Sequence, residues 1–328
     1  MAAVTGAMAQ VTITGMVQAN TSRSVTTTSG ATSTVNSIDD SNGNTGVNFG
    51  VSEDLDGGMK FVGNIGLNLG IGGSNTPTAT NGVYETYAGL SGGFGSIKAG
   101  TLQTPQFLVI ANGDAGGYLI SNPVANLNQH QGGTVGSTTL LQSNSFQYVL
   151  PTFVEGLSLK YQTSLGEVAT NINGSNHIAA DFKTGGLSTG IAYTTYKYTQ
   201  ALEDTAQSIY ASYNFGAATL KAMYASANTG GASGVNGTSV GIVVPVGAVS
   251  LMANYGTSNG IVLNNATVPT ARTVSTQKQE GTFVGATYSL SKRTTATAAY
   301  YKETGNNGLV AASNNSFSHT RFYLVHAF

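Results

Sequence analysis

Chemistry in this chain would have to be built from four histidines, a few adjacent acid pairs and a scatter of lysines. His130, His177, His319 and His326 are far apart in sequence and show no H-x-x-x-H or carboxylate spacing of the kind that brings metal ligands onto one face. Cysteine is absent, so neither a thiolate ligand nor a disulfide exists. The pairs Asp39/Asp40 and Glu203/Asp204 fall in polar loop stretches and read as solvated charge. Glycine-rich stretches sit between strands rather than between a strand and a helix, where a phosphate cradle is built. With no dyad or triad to name, the chain reads as a non-enzyme, with no catalytic residue, metal or cofactor. A different pattern remains. Lys60, Lys98, Lys160, Lys183 and Lys221 each fall on the polar parity of an alternating stretch, and charge repeated on one face of a sheet makes a lining rather than a reaction centre.

The elements that position those lysines are strands. In GGMKFVGNIGLNLGI, residues 57–71, Met59, Phe61, Ile65, Leu67, Leu69 and Ile71 share one parity, while Lys60, Asn64 and Asn68 share the other. Leu157, Leu159 and Tyr161 oppose Ser158, Lys160 and Gln162 in the same way. So do Ile209, Ala211, Tyr213 and Phe215 against Ser208, Tyr210, Ser212 and Asn214, and Val249, Leu251, Ala253 and Tyr255 against Ser250, Met252, Asn254 and Gly256. Only 8% of residues are charged, against roughly 25% in a typical soluble protein. A soluble surface needs more charge than that. The net charge of −1 offers nucleic acid no basic footprint.

Connections alternate in length. Tight turns are expected at 54–59, 91–95, 151–156, 181–186, 214–218, 245–248 and 289–293, and longer polar loops at 24–43, 72–81, 102–142, 165–174, 199–204, 228–235, 258–276 and 304–315. Seven turns and eight loops join sixteen strands and leave both ends on the short-turn side. No apolar run approaches the ~20 residues of a spanning helix, the four-residue FLVI at 107–110 being among the longest. Strands of about ten residues with one apolar face, short turns at one end and long loops at the other are the pattern of a transmembrane β-barrel, since a sheet in lipid must close to leave no edge. The apolar parity then faces lipid and the lysine parity a water-filled lumen, because a lysine toward the bilayer midplane costs about 2–4 kcal/mol. Tyr87, Tyr148, Tyr161 and Tyr255 fit interfacial girdles.

From VTITG at 11–15, EDLDGGMKF at 53–61, YAGLSGGFGSIKAGTLQTP at 87–105, NSFQYVLP at 144–151, YSLSKRT at 288–294 and a last strand ending HAF, the chain resembles the general diffusion porins of Gram-negative outer membranes in their betaproteobacterial form, over residues 10–328. The resemblance implies an all-β, 16-stranded antiparallel transmembrane barrel with short periplasmic turns, long extracellular loops and a third loop folded into the lumen as a constriction. It also implies a homotrimer in outer-membrane lipid. Phe328, with His326 on its parity, is implied to be part of the signal read by the outer-membrane assembly machinery. Such signals often carry glycine where this chain has Tyr323.

Loop 102–142 is the expected constriction loop, and its only acid is Asp114. By resemblance that acid faces basic residues on the wall; by local chemistry, Asp beside Gly caps a turn. Relatives place arginine at the positions matched by Gly46, Tyr84 and Gln147, and often an acid at Gln18; all four are neutral here. Tyr84 would give a narrower or stickier rim. Lys60, Lys160 and Lys221 would leave a mild anion preference toward the short-turn end, while Lys98 and Lys183 fit snorkelling near headgroups equally well.

The expected function is a passive, weakly ion-selective outer-membrane channel for small hydrophilic solutes. The alternatives are a porin specific for neutral solutes such as sugars, and a secreted structural β-protein or adhesin, against which the irregular turn spacing argues. Residues 1–9, ending in Ala7-Met8-Ala9, read either as a signal-peptide remnant with the mature chain from Gln10, or as an unstructured Ala-rich start.

Overall fold

The computed structural model describes residues 9–28, 30–39, 45–69, 82–116, 141–166, 174–197, 203–228, 234–263, 273–275, 278–305 and 316–328. Residues 1–8, Ile71, His130, loop 72–81 and residues 117–140 of the expected constriction loop lie outside them. The strands are β1 (Gln10–Thr28), β2 (Ala31–Asp39), β3 (Gly46–Asp54), β4 (Lys60–Asn68), β5 (Gly82–Gly92), β6 (Gly95–Gln103), β7 (Leu141–Val149), β8 (Leu157–Ser164), β9 (Ser175–Thr184) and β10 (Leu187–Lys197). They continue with β11 (Glu203–Asn214), β12 (Thr219–Asn228), β13 (Val235–Val246), β14 (Val249–Ser258), β15 (Ile261–Leu263), β16 (Thr273–Ser275), β17 (Gln279–Ser289), β18 (Thr294–Thr304) and β19 (Ser316–Ala327). Among the described residues one α-helix, α1 (Pro105–Gly113), follows β6.

The 17-stranded sheet is antiparallel throughout and closes on itself where β1 pairs with β19, from Met16↔Ala327 to Thr27↔Ser316. β2 and β3 share one place in the wall. β3 lies beside β1 over Gln10–Met16, and β2 takes over from Asn20 to Thr28. Sixteen wall positions result, as the connection lengths predict. At the changeover the Thr45 hydroxyl accepts from Gln18 N at 3.0 Å and donates to Gln18 O at 3.2 Å, standing in for the missing ladder.

Burial is inverted relative to a soluble sheet. Ile65, Ile178, Ile191, Val240 and Leu324 are exposed on the outside, whereas Gln162, Ser239, Asn254 and Tyr323 are buried inside. This is the arrangement expected where the solvent of the outer face is hydrocarbon and every backbone group must be satisfied within the wall. All seven short turns fall in the predicted segments. Gly57 (φ 74°) and Gly247 (φ 61°) supply the left-handed conformations that two of them require.

Five expectations are corrected. Asp204, read as solvated loop charge, is buried on β11. Segment 24–43 is not simply a loop, because β1 runs on to Thr28 and turns back as β2. Segment 258–276 contains the small separate ladder β15–β16. Segment 102–142 begins with a helix, described below. Tyr87 is no girdle residue: it pairs directly with Asn64 on the lumen face, and the Lys98 ammonium sits 4.1 Å from its ring centroid. Tyr148, Tyr161 and Tyr255 hold the outward parity, with Tyr161 and Tyr255 exposed.

Candidate pore lining and constriction

The helix starts where the sequence offers both N-terminal signals. Thr104 caps it by accepting from Phe107 N at 3.3 Å, and Pro105 occupies the first turn. Val109 and Ile110 are buried against Ala179, Ala192, Tyr210, Met223 and Ala225, lumen-parity residues of β9 to β12. An arc of the lumen wall is therefore apolar and mostly small, which lets a helix lie flat on it. Gly113 completes the fit: a Cβ there would meet the Cβ atoms of Met223 and Tyr210 at 2.8 Å.

Neutral hydrogen bonds fix the helix along its length. Gln106 Nε2 donates to Ser208 Oγ at 2.6 Å, and Thr194 Oγ1 lies 3.4 Å from Gln106 Oε1. Behind them His177 is fully buried. Its Nε2 is 3.0 Å from Gln142 Oε1, an oxygen that can only accept, so Nε2 carries the proton and Nδ1 accepts from Thr194 Oγ1 at 2.9 Å. Ser175 also donates to Gln142 Oε1, at 2.7 Å. The network links α1 to β7, β9, β10 and β11 without a formal charge.

Asp114 closes the helix. It is buried, its Oδ1 accepts from Gly116 N at 3.1 Å and from Asn254 Nδ2 at 2.8 Å, and Lys221 Nζ donates to its backbone carbonyl at 2.9 Å. Both sequence readings of this acid thus describe part of its setting: it makes a local turn and it meets a lysine on the wall.

The other sequence-singled residues are spread around the lumen. Lys60 pairs with Asp54 at 2.8 Å beside the first short turn, both side chains more than half exposed. Lys160 pairs with Asp181 at 3.2 Å in a largely buried contact. Gln147 Nε2 donates to Gln162 Oε1 at 2.9 Å. Gln18 is buried beside Thr45. Tyr84 sits in a bulge where Tyr84 and Glu85 together oppose Gly66, and its hydroxyl accepts from Gln103 Nε2 at 3.1 Å. Gly46 has no room for a side chain, since a Cβ would lie 2.3 Å from Leu67 O. Outside the pore, Phe328 exchanges backbone hydrogen bonds with Gly15 (3.1 and 2.9 Å), and His326 Nδ1 is 2.9 Å from Thr294 Oγ1.

Sequence reasoning passed over Arg321. It shares the lumen parity of Tyr323 and donates from Nε to His319 Nε2 at 3.1 Å. The signal was present, because Phe322, Leu324 and Phe328 mark the outward parity of that strand.

Residues 1–308 match the family model described as Gram-negative porin. Among solved structures the chain is similar to the anion-selective porin from Comamonas acidovorans, with a TM-score of 0.80 and 19% identity over 98% of this chain and 100% of that one. It is also similar to OmpF of Salmonella typhi in complex with daunomycin (TM-score 0.73, 15% identity, 97% of each chain). A third similar structure is the trimer form of in-vitro folded OmpT, an outer membrane protein of Vibrio cholerae (TM-score 0.65, 12% identity, 98% of this chain and 99% of that one). No curated protein matches the chain.

Proposed function

We propose, from the premise that this chain belongs to the Gram-negative porin family, that its outer-membrane channel for small solutes is passive, only weakly ion-selective, and not an enzyme. The observation that carries this reading is the pairing of lumen charge. Lys60 and Lys160 each contact an acid, and Lys221 reaches the residue that carries the Asp114 carboxylate. At physiological salt, charges are screened beyond ~8 Å, so locally balanced pairs leave little net field for a permeating ion to sense. The neutral Gly46, Tyr84, Gln147 and Gln18 extend the same balance around the wall.

Within this reading Asp114, Gln147, Tyr84, Gly46, Gln18, Lys60, Lys160 and Lys221 shape or line the pore, while Phe328 and His326 serve outer-membrane assembly. Phe328 suits that role because it sits at the strand pair that closes the sheet. The protein assembles as a homotrimer, a state for which the trimer form of OmpT is the precedent. The test is the reversal potential across a salt gradient in a planar bilayer. A value near zero is expected, and a strongly anion- or cation-selective pore would overturn the reading.

A further inference from the structure

A recess of about 300 Å³ opens where β1 changes partners, lined among others by Thr14, Met16, Gly46, Asn48, Asn68 and Tyr84. These six are lumen-side residues: Met16, Gly46 and Asn68 pair across three adjacent strands, and Asn48 and Tyr84 flank Gly66. The floor is built by backbone. Because a Cβ on Gly46 would collide with Leu67 O, no side chain fills the space where the surrounding strands carry theirs.

The chemistry of the lining is specific. Among the described residues that line it no side chain is charged, and on the lumen side Met16 and Ala327 contribute apolar surface. Tyr84 Oη already accepts from Gln103, which leaves the phenol hydrogen to donate. Asn48 Oδ1 accepts from Asn64 Nδ2 at 3.3 Å, which leaves the Asn48 amide hydrogens for a ligand, and Thr14 adds a hydroxyl. A volume near 300 Å³ is at the lower end of small-molecule sites, mostly apolar cavities with a few placed polar groups. An ion entering it would give up hydration with no charged side chain among the described lining residues to replace it. A single neutral ring carrying hydroxyls on one edge and C–H groups on its face would satisfy both halves of the lining.

We propose that this recess is a binding subsite of the pore for a neutral, polyhydroxylated ring of monosaccharide size, held between Met16 and the hydrogen-bonding groups of Asn48 and Tyr84. The inference rests on the reading of the chain as a channel. It adds a place and a solute class to that reading.

The test is single-channel current in a planar bilayer titrated with D-glucose. Saturable current reduction is expected in the wild type. Tyr84→Phe and Asn48→Ala, each removing hydrogen bonding while preserving the wall, should each raise the half-blocking concentration by about 5-fold, the equivalent of one neutral hydrogen bond. Met16→Phe, which fills the recess from the opposite side, should abolish saturation. Each variant is referred to its own unblocked current and accepted only if it migrates as a heat-modifiable folded barrel. A conducting wild type whose current falls only in proportion to solution viscosity overturns the subsite and leaves the channel intact. Saturation that all three variants leave unchanged places binding elsewhere and also overturns it. A folded protein that never conducts would overturn the channel reading itself.

Discussion

Substituting Val109 by aspartate tests how the helix is held in the lumen. Val109 and Ile110 are 0% and 3% exposed, and full burial of such side chains contributes about 1.5–3 kcal/mol each. The hydrogen bond from Gln106 to Ser208 adds roughly 0.5–1.5 kcal/mol. The seat is therefore worth on the order of 3.5–7.5 kcal/mol before the cost of ordering the segment is subtracted. Val109→Asp removes one apolar contact and would bury a carboxylate against Ala192 and Met223, a penalty of several kcal/mol. Together these consume most of the seat, so the helix leaves the wall and takes the carboxylate into water. The strand ladder does not include the helix, and the heat-induced gel shift should stay at the wild-type temperature. Single-channel recordings should change from a steady level to a noisy one with altered mean conductance. Ala111→Asp introduces the same charge at a half-buried position on the helix and should shift ion preference without noise. If the two variants give equally quiet currents, the helix is not held through Val109 and Ile110, and the reasoning fails.

Leu67→Arg places a guanidinium on the lipid face and should slow or prevent insertion by up to about 2–4 kcal/mol, less if the site lies near the interface. Asn68→Arg should insert normally and change conductance, and a folding gel with the opposite ranking would refute the face assignment. Gln147→Arg can keep a donor on Gln162 Oε1 while adding uncompensated positive charge, so the reversal potential should move toward anion preference; no shift would mean that the filter lies elsewhere. Native mass spectrometry in mild detergent should show three chains, and a monomer alone would remove the trimer from the proposal.

Strand positions were legible because alternation of side chains is a period that lipid on one side and water on the other both enforce. Leu67 and Asn68, or Tyr161 and Gln162, declare their faces by chemistry alone. That signal fails where one of the two solvents is replaced. The lumen face of β9 to β12 carries Ala179, Ala192 and Ala225 because a helix rather than water covers it, and nothing in the strands themselves announces the helix. FLVI was too short to distinguish helix from buried strand, although Thr104-Pro105 ahead of it is a readable helix start. β2 escaped because Ala31–Asp39 is Ser- and Thr-rich on both parities. Tyr87 was misplaced because the bulge at Tyr84 and Glu85 interrupts the alternation on which its face depends. The recess at Gly46 was beyond reach, since a glycine in sequence does not say what backbone lies 2.3 Å from its missing side chain.

The closure of the sheet has a consequence for how fast the protein can fold. Most strand pairs lie between neighbours in the chain and can form as local hairpins, but Met16 must find Ala327. Loop-closure entropy rises by only about 0.6 kcal/mol for each doubling of length, so this pairing is thermodynamically affordable. Its kinetics differ, because folding slows as the sequence separation of the contacts that must form increases. The β1–β19 seam should therefore zip after the hairpins, making its twelve paired positions the slow step. Substitutions that weaken the seam would reduce the folding rate more than substitutions of equal cost in a hairpin such as β11–β12, and stopped-flow measurements on the two sets would separate them.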